Sequence, residues 1–312
     1  MEIGSFIEMQ FPKDIARLNT GRSAIWHAFR VSGVKAIWIP YYQCDTVREL
    51  LLKHSAKVKF YHTDNDWNPT DLDAKKDEAV LFVNYYGIMS HKRMSELASL
   101  SEHPIIDNCQ GFFCEPVAGA LNIYSCRKFV GVPDGSYVIG KGAHKYVGEY
   151  PQCYSSDTAA FLLMRIEYGC EGKGYEARHI NEQRIDTEDI MKMSKLTRTI
   201  LDGTDYEQIK QKRRDNFDYM HNRLGGINKI NPKQYYNETT IPMVYPLVVE
   251  DDGLIQRLFK ARHFQGHWWS YICDEQPKGS FEHWISRYVI PITIDQRYGT
   301  TELDYLIKII LR

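Results

Sequence analysis

The chain has 312 residues, 43% of them hydrophobic and 25% charged, with 40 acidic against 39 basic side chains and a formal charge of −1. That length carries one large domain and a smaller one, and so even a balance excludes the basic surface that nucleic acid or an anionic membrane would require. No apolar run is long enough to cross a bilayer, residues 1–11 lack the pattern of a secretory signal, and the seven cysteines include no CxxC pair, so free thiols in a cytoplasmic protein are expected rather than disulfides or a metal site.

In chain order, Ala36–Pro40, Val58–His62, Ala79–Asn84, Pro104–Asp107, Leu121–Tyr124 and Ser136–Ile139 read as strands. Helical spacing over Arg22–Phe29, Thr46–His54 and Lys92–Leu100 falls between several of them. Buried strands separated by helices predict an α/β domain with a largely parallel, covered sheet. From Ser155 to Leu224 the pattern is helical, with a long polar interruption at Gly169–Thr187. Beyond a break at Gly225–Pro232, the segments Ile241–Val249, Gly253–His263, Tyr288–Ile290 and Thr301–Leu311 predict a small mixed α/β domain. The division expected is 12–215 and 216–312, with a helix running across it and residues 1–11 able to pack with the small domain.

Four segments can carry chemistry, and each also has a plain structural reading. Asn19-Thr20-Gly21-Arg22-Ser23-Ala24 opens the first helix, where free N–H groups and hydroxyls make a phosphate seat or merely an N-cap. In Ile39-Pro40-Tyr41-Tyr42-Gln43-Cys44 a strand end carries aromatics that could cover a planar ligand or simply pack. Ile105-Ile106-Asp107-Asn108-Cys109-Gln110 ends a strand on a carboxylate, which could face a protonated ring nitrogen or cap a turn. Tyr124-Ser125-Cys126-Arg127-Lys128 places a lysine just past a strand among apolar residues, ahead of the Pro133-Asp134-Gly135 turn. Partial desolvation would free its amine as a nucleophile; the plain alternative is a solvated Arg-Lys pair.

Taken together, Gly21-Arg22-Ser23-Ala24, Pro40-Tyr41-Tyr42-Gln43-Cys44, Asn84-Tyr85-Tyr86-Gly87, Asp107-Asn108-Cys109-Gln110 and Ser125-Cys126-Arg127-Lys128 followed by Pro133-Asp134-Gly135-Ser136 occur in the order of motifs in the DegT/DnrJ/EryC1/StrS family. The chain resembles these pyridoxal-phosphate-dependent sugar aminotransferases well over residues 14–140 and loosely elsewhere, where Arg213-Arg214-Asp215-Asn216 and Pro291–Tyr298 are also similar to segments of divergent members. The resemblance implies the type I pyridoxal-phosphate transferase fold (aspartate-aminotransferase-like), a homodimer with shared sites, and transfer of an amino group from glutamate to a keto-sugar, with or without an attached nucleotide, in amino-sugar or polysaccharide biosynthesis. It implies that Lys128 holds the cofactor covalently and shuttles the proton, that Asp107 keeps the pyridine nitrogen protonated, and that Gln110 bonds the ring-side oxygen. Gly21, Arg22, Ser23 and Ser125 would hold the phosphate. The slot of the ring-stacking aromatic falls on Cys44, leaving Tyr42 or Tyr86 to cover the ring. The serine-to-lysine stretch is shorter than in the family, and Asn181 and Ser194 are the candidates for the asparagine lent to the neighbouring subunit. Two alternatives stay open: another pyridoxal-phosphate reaction, and a binding or regulatory protein of this fold without turnover.

Overall fold

The computed structural model describes residues 14–312; the expected packing of residues 1–11 lies outside them. Seven strands form one sheet: β1 (Ile15–Leu18), β2 (Ala36–Pro40), β3 (Lys57–Tyr61), β4 (Glu78–Val83), β5 (Pro104–Asn108), β6 (Leu121–Ser125) and β7 (Ser136–Ile139). Their spatial order is β1-β7-β6-β5-β4-β2-β3. β2 through β6 pair in parallel, and β7 runs antiparallel to both β6 and β1. β1 was not expected; four residues carrying an arginine (IARL) leave too short an apolar run to stand out.

Between the strands lie α1 (Gly21–Ser32), α2 (Asp45–Lys53) and α3 (His91–Ala98). Alternation along the strands sends side chains to the two faces of the sheet. Ala79, Leu81 and Ile105 join Ala24, Ile25 and Ala28 of α1 and Val47, Leu50 and Leu51 of α2 on one face. Val80, Phe82 and Ile106 join Met94 and Leu97 of α3 on the other. β4 is buried at all six positions, as a strand with both faces covered must be.

At the start of β4 a single carboxylate ties three strands together. Glu78 accepts from Lys59 Nζ at 2.5 Å, Trp38 Nε1 at 2.6 Å and Lys75 N at 3.1 Å. Burial acts to raise its pKa, but the bonds from Lys59, Trp38 and Lys75 outweigh it and hold the carboxyl down at about 2. A depressed carboxylate stabilises the fold above its ordinary value and ceases to as pH falls through the folded one. The stability difference between the parent and Glu78→Gln should therefore shrink between about pH 4.5 and pH 2, measured by urea unfolding; a difference constant over that window would show that the charge of Glu78 contributes nothing.

The second half opens with α4 (Phe161–Tyr168), α5 (Lys173–Thr187), α6 (Lys195–Asp202) and α7 (Tyr206–Leu224). Here the sequence reading needs correction, because the polar stretch within Gly169–Thr187 contains a fifteen-residue helix. Only Gly174, Asn181 and Ile185 of α5 are buried, so it shows no apolar stripe. Its anchors are polar instead: Arg127 to Glu182, Arg22 to Asp186, and Asn181 Nδ2 to the Pro133 carbonyl. α7 spans position 215 and leads to β8 (Val244–Val248), α8 (Leu254–Lys260), α9 (Ile272–Glu275), α10 (Phe281–Tyr288), β9 (Val289–Thr293) and α11 (Thr300–Ile310). β8 and β9 form an antiparallel pair, whose apolar side chains continue the core of Val80 and Phe82. The two similar-looking segments near the C-terminus meet each other: Arg213 Nη2 lies 3.4 Å from Asp295 Oδ2, and Asn216 Nδ2 donates to the carbonyls of Ile294, Asp295 and Tyr298.

Candidate active site

The strand register brings the predicted residues together. Ser136 at the start of β7 lies opposite both Leu18, which ends β1, and Ser125, which ends β6. Ser136 Oγ donates to the Thr20 carbonyl at 2.8 Å, so the turn from β1 into α1 is held beside Ser125. Carboxyl ends of parallel strands are where open α/β sheets take ligands.

At that end α1 begins. Thr20 is its N-cap, accepting from Ser23 N at 3.2 Å, with the two hydroxyl oxygens 2.7 Å apart. Ser23 is 1% exposed, and its hydroxyl serves the cap rather than a ligand, so the plain reading holds for this residue. The backbone N–H groups of Gly21 and Arg22 have no acceptor among the described residues. The Ser125 hydroxyl has none either and lies near enough for its Cβ to come 3.8 Å from where a Cβ on Gly21 would sit. A Cβ there would also stand 2.6 Å from the buried Cys109 sulfur, so the close approach requires glycine. The Arg22 side chain corrects the sequence reading. Its guanidinium is turned to α5, 3.2 Å from Asp186 and onto the Ile185 carbonyl, where a helix C-terminus attracts a cation.

Asp107 is 5% exposed at the end of β5. Cys109 N donates to its Oδ1 at 2.9 Å and Gln43 Nε2 to its Oδ2 at 3.2 Å. Burial pushes the Cys109 thiol well above its ordinary range; the Asp107 charge adds to this and Lys128 opposes it. Lys128 ends the short 3-10 turn Cys126–Lys128 after β6 and is exposed, with no hydrogen bond or ion pair among the described residues. The burial expected of Lys128 is not seen in the single chain, where the turn leaves its side chain exposed. The loop beneath is firmly held: Gln296 Nε2 donates to the Phe129 carbonyl at 2.8 Å, and the Arg213 guanidinium lies 4.7 Å from the Phe129 ring centre.

Gln110, 3% exposed, accepts from Tyr86 N at 2.7 Å through Oε1, and its Nε2 has no partner among the described residues. Tyr86 has φ 57° and Gly87 φ 71°. A Cβ at Gly87 would lie 2.1 Å from the Gln110 carbonyl, so glycine is obligatory in this left-handed turn.

Neither tyrosine can cover a ring. Tyr42 and Tyr86 are each 0% exposed, with their hydroxyls 2.6 Å apart. Tyr42 lies against Trp269 and Tyr85, at centroid distances of 4.7 and 5.3 Å, and Tyr86 stacks on Trp268 at 5.7 Å. A surface sealed on every side has none left to offer a ligand, and both belong to the aromatic core. Cys44, half-buried at the N-cap of α2, keeps its thiol 3.1 Å from Thr46 Oγ1. Asn181 and Ser194 are also engaged internally, Asn181 with Thr158, Arg184 and Pro133, Ser194 with Ser155 and Thr197.

Sequence reasoning missed Gln43 and Cys109 as site residues. Both stood inside quoted segments, yet the contact of Gln43 crosses 64 positions and two strand intervals. Two cavities lie elsewhere: one of about 270 Å³ lined by residues including Ser90, His91, Arg214 and Thr240, and one of about 510 Å³ by residues including His263, Tyr298 and Tyr305. Neither is lined by Lys128 or Asp107. The converging groups can instead seat an anion on Gly21 N, Arg22 N and Ser125 Oγ. They also present a carboxylate, an amide N–H and an amine to a flat polar molecule beside it.

No family model matches the chain, and no curated protein sequence matches it. Solved structures do. A DegT DnrJ EryC1 StrS aminotransferase from Brucella abortus aligns over 95% of this chain and 85% of its own, with 14% identity and a TM-score of 0.65. The sugar aminotransferase CalS13 from Micromonospora echinospora aligns over 95% and 86%, with 14% identity and a TM-score of 0.62. NtdA from Bacillus subtilis, solved with bound cofactor PMP, aligns over 95% and 72%, with 13% identity and a TM-score of 0.63. The seven-stranded sheet with its covering helices is the α/β fold of these enzymes, and in its architecture the chain resembles the DegT/DnrJ/EryC1/StrS sugar aminotransferases over nearly its whole described length.

Proposed function

We propose that the protein is a pyridoxal-phosphate-dependent aminotransferase that moves an amino group from glutamate to a keto-sugar, in amino-sugar or polysaccharide biosynthesis. The observation that carries this reading is that Asp107, bonded to Cys109 N, and Gly21, packed on the Cys109 sulfur beside Ser125, meet at the strand ends, with Lys128 three residues beyond Ser125. The unpaired groups there suit pyridoxal phosphate: two backbone N–H groups and a hydroxyl for its phosphate, the Gln110 Nε2 donor for its ring oxygen, and an acceptor-only carboxylate for its protonated nitrogen. When bound, the cofactor supplies an electron sink for charge developing at the substrate carbon. Asp107 holds the proton on the ring nitrogen. Lys128, whose amine has no partner among the described residues, would hold the cofactor through Nζ and would carry the proton to and from the substrate carbon.

CalS13, named as a sugar aminotransferase, supports the substrate class by analogy of fold, and NtdA, solved with bound cofactor PMP, supports the cofactor. A homodimer with shared sites accounts for two features: Lys128 is uncovered in the single chain, and the α4–α5 hairpin exposes Leu163, Ile166, Tyr168 and Ile180 by 57–79%, more apolar surface than a free helix pair ordinarily shows. Seven free cysteines among the described residues suit the cytoplasm.

A second reading, a binding protein without turnover, is favoured by Cys44 in the slot of a stacking aromatic and by Arg22 turned onto Asp186. A half-reaction separates the two. The protein loaded with pyridoxal phosphate and given glutamate is expected to lose its visible colour and release the keto acid stoichiometrically. A coloured protein that glutamate and other amino donors leave unchanged would favour the binding protein.

A further inference from the structure

Resting on that cofactor reading, we propose that Gln43 is the positioning residue for Asp107 and that Tyr271 holds Gln43 in place from the C-terminal part of the chain. Two N–H donors meet the Asp107 carboxylate. The one from Cys109 N to Oδ1, at 2.9 Å, is a backbone bond two residues on, which any residue but proline at 109 could make. The one from Gln43 Nε2 to Oδ2, at 3.2 Å, depends on a particular side chain reaching across from the end of β2.

Gln43 is 4% exposed and its other polar groups are committed. Its Oε1 accepts from Cys44 N at 2.7 Å, its own N–H donates to the Tyr41 carbonyl at 3.0 Å, and its carbonyl accepts from the Tyr271 hydroxyl. These bonds decide which way the amide points. With Oε1 fixed on a backbone N–H, Nε2 must face the carboxylate; the flipped amide would set oxygen against oxygen at Asp107 and nitrogen against N–H at Cys44. Two donors, from the segments that follow β5 and β2, give the carboxylate one plane. Each oxygen still keeps a lone pair for a ligand.

Tyr271 precedes α9, and the same segment is clamped to α2 by Arg48 and Glu275, paired at 2.9 Å through both nitrogens. Docking of this segment and orientation of Asp107 therefore share one residue. Gln43 is a positioning group, not a catalytic one, because it acts on the ring nitrogen only through Asp107.

The test uses the full chain with Gln43→Leu, Tyr271→Phe, Asp107→Asn and the Gln43→Leu/Asp107→Asn double variant, with pyridoxal phosphate as the probe. Affinity is read by quenching of intrinsic fluorescence, and the environment of the ring by the pH dependence of the visible spectrum. Gln43→Leu is expected to keep its borohydride-fixed adduct on Lys128 while affinity falls about tenfold, as for loss of a hydrogen bond to a charged group. Its spectral pH midpoint should move by about one unit. Tyr271→Phe, which removes one hydroxyl and keeps the ring, should shift both readouts in the same direction by less. In the Asp107→Asn background Gln43→Leu should add little, because the two act as a unit. Unchanged affinity and pH profile in both single variants, or fully additive effects in the double variant, would overturn the proposal. If Gln43→Leu fails to fold, Tyr271→Phe alone decides. A parent protein that takes up no cofactor overturns the reading beneath it, and this proposal with it.

Discussion

Replacing Lys128 with alanine is expected to abolish amino transfer, with a loss of about a thousandfold or more, and to leave the fold intact. The size follows from two roles lost together: the nucleophile that joins the cofactor, and the base that carries the proton at the substrate carbon, a role worth about 10²–10⁴-fold by itself. Intact folding follows from position. Lys128 is exposed, and no hydrogen bond or ion pair among the described residues engages it, so truncation should change stability by no more than about 0.5 kcal/mol. The holding of the loop is done by its neighbours, through Arg127 to Glu182 and the Phe129 carbonyl to Gln296. The glutamate half-reaction and a urea unfolding curve, run side by side, check both halves. An active Lys128→Ala protein would remove the lysine from the mechanism, and an unfolded one would assign it to structure.

Asp107→Asn is expected to retain the cofactor and to slow the proton step by roughly a thousandfold, on the scale of losing a preorganised electrostatic partner in a buried site. The change is nearly isosteric but reverses the hydrogen-bond character of one atom. Asp107 now accepts on both oxygens, from Cys109 N and from Gln43 Nε2; asparagine must turn its own NH₂ toward one of these donors. Loss of a buried acceptor should cost stability by about 1–3 kcal/mol, so this variant, unlike Lys128→Ala, is expected to be both slower and less stable. Rapid-mixing measurement of the half-reaction, together with unfolding midpoints, tests the pair of effects. A rate within a few-fold of the parent would make Asp107 a turn residue only.

The sheet was legible because its strands carry their own signal. AVLFVN and PIID are apolar runs ending on a polar residue, and parallel strands buried on both faces read in that way. Most of the chemical motifs were legible for the same reason, since those after β2, β4, β5 and β6 lie at the ends of such runs, whereas the Gly21 motif stood out only as a helix start. α5 was not, because a helix held by Arg22, Arg127 and Pro133 presents no apolar period. Arg22 illustrates the limit for a site residue. Its place at a helix start suggested a phosphate ligand, while the Asp186 that claims it lies 164 positions away. Tyr42 and Tyr86 illustrate it for aromatics. Covering a ring and filling a core require the same side chain, and only the arrival of Trp67, Trp268 and Trp269 decides between them. Gln43 could be seen but not assigned, because its partner comes from a strand that is not its neighbour in the sheet.

The measurement that bears most directly on the central claim is a covalent one. The purified protein is incubated with pyridoxal phosphate, reduced with borohydride, digested and mapped by mass spectrometry. One cofactor per chain, fixed on the peptide that contains Lys128, is the result predicted here. No adduct, or a low yield spread over surface lysines such as Lys35 and Lys76, would contradict it.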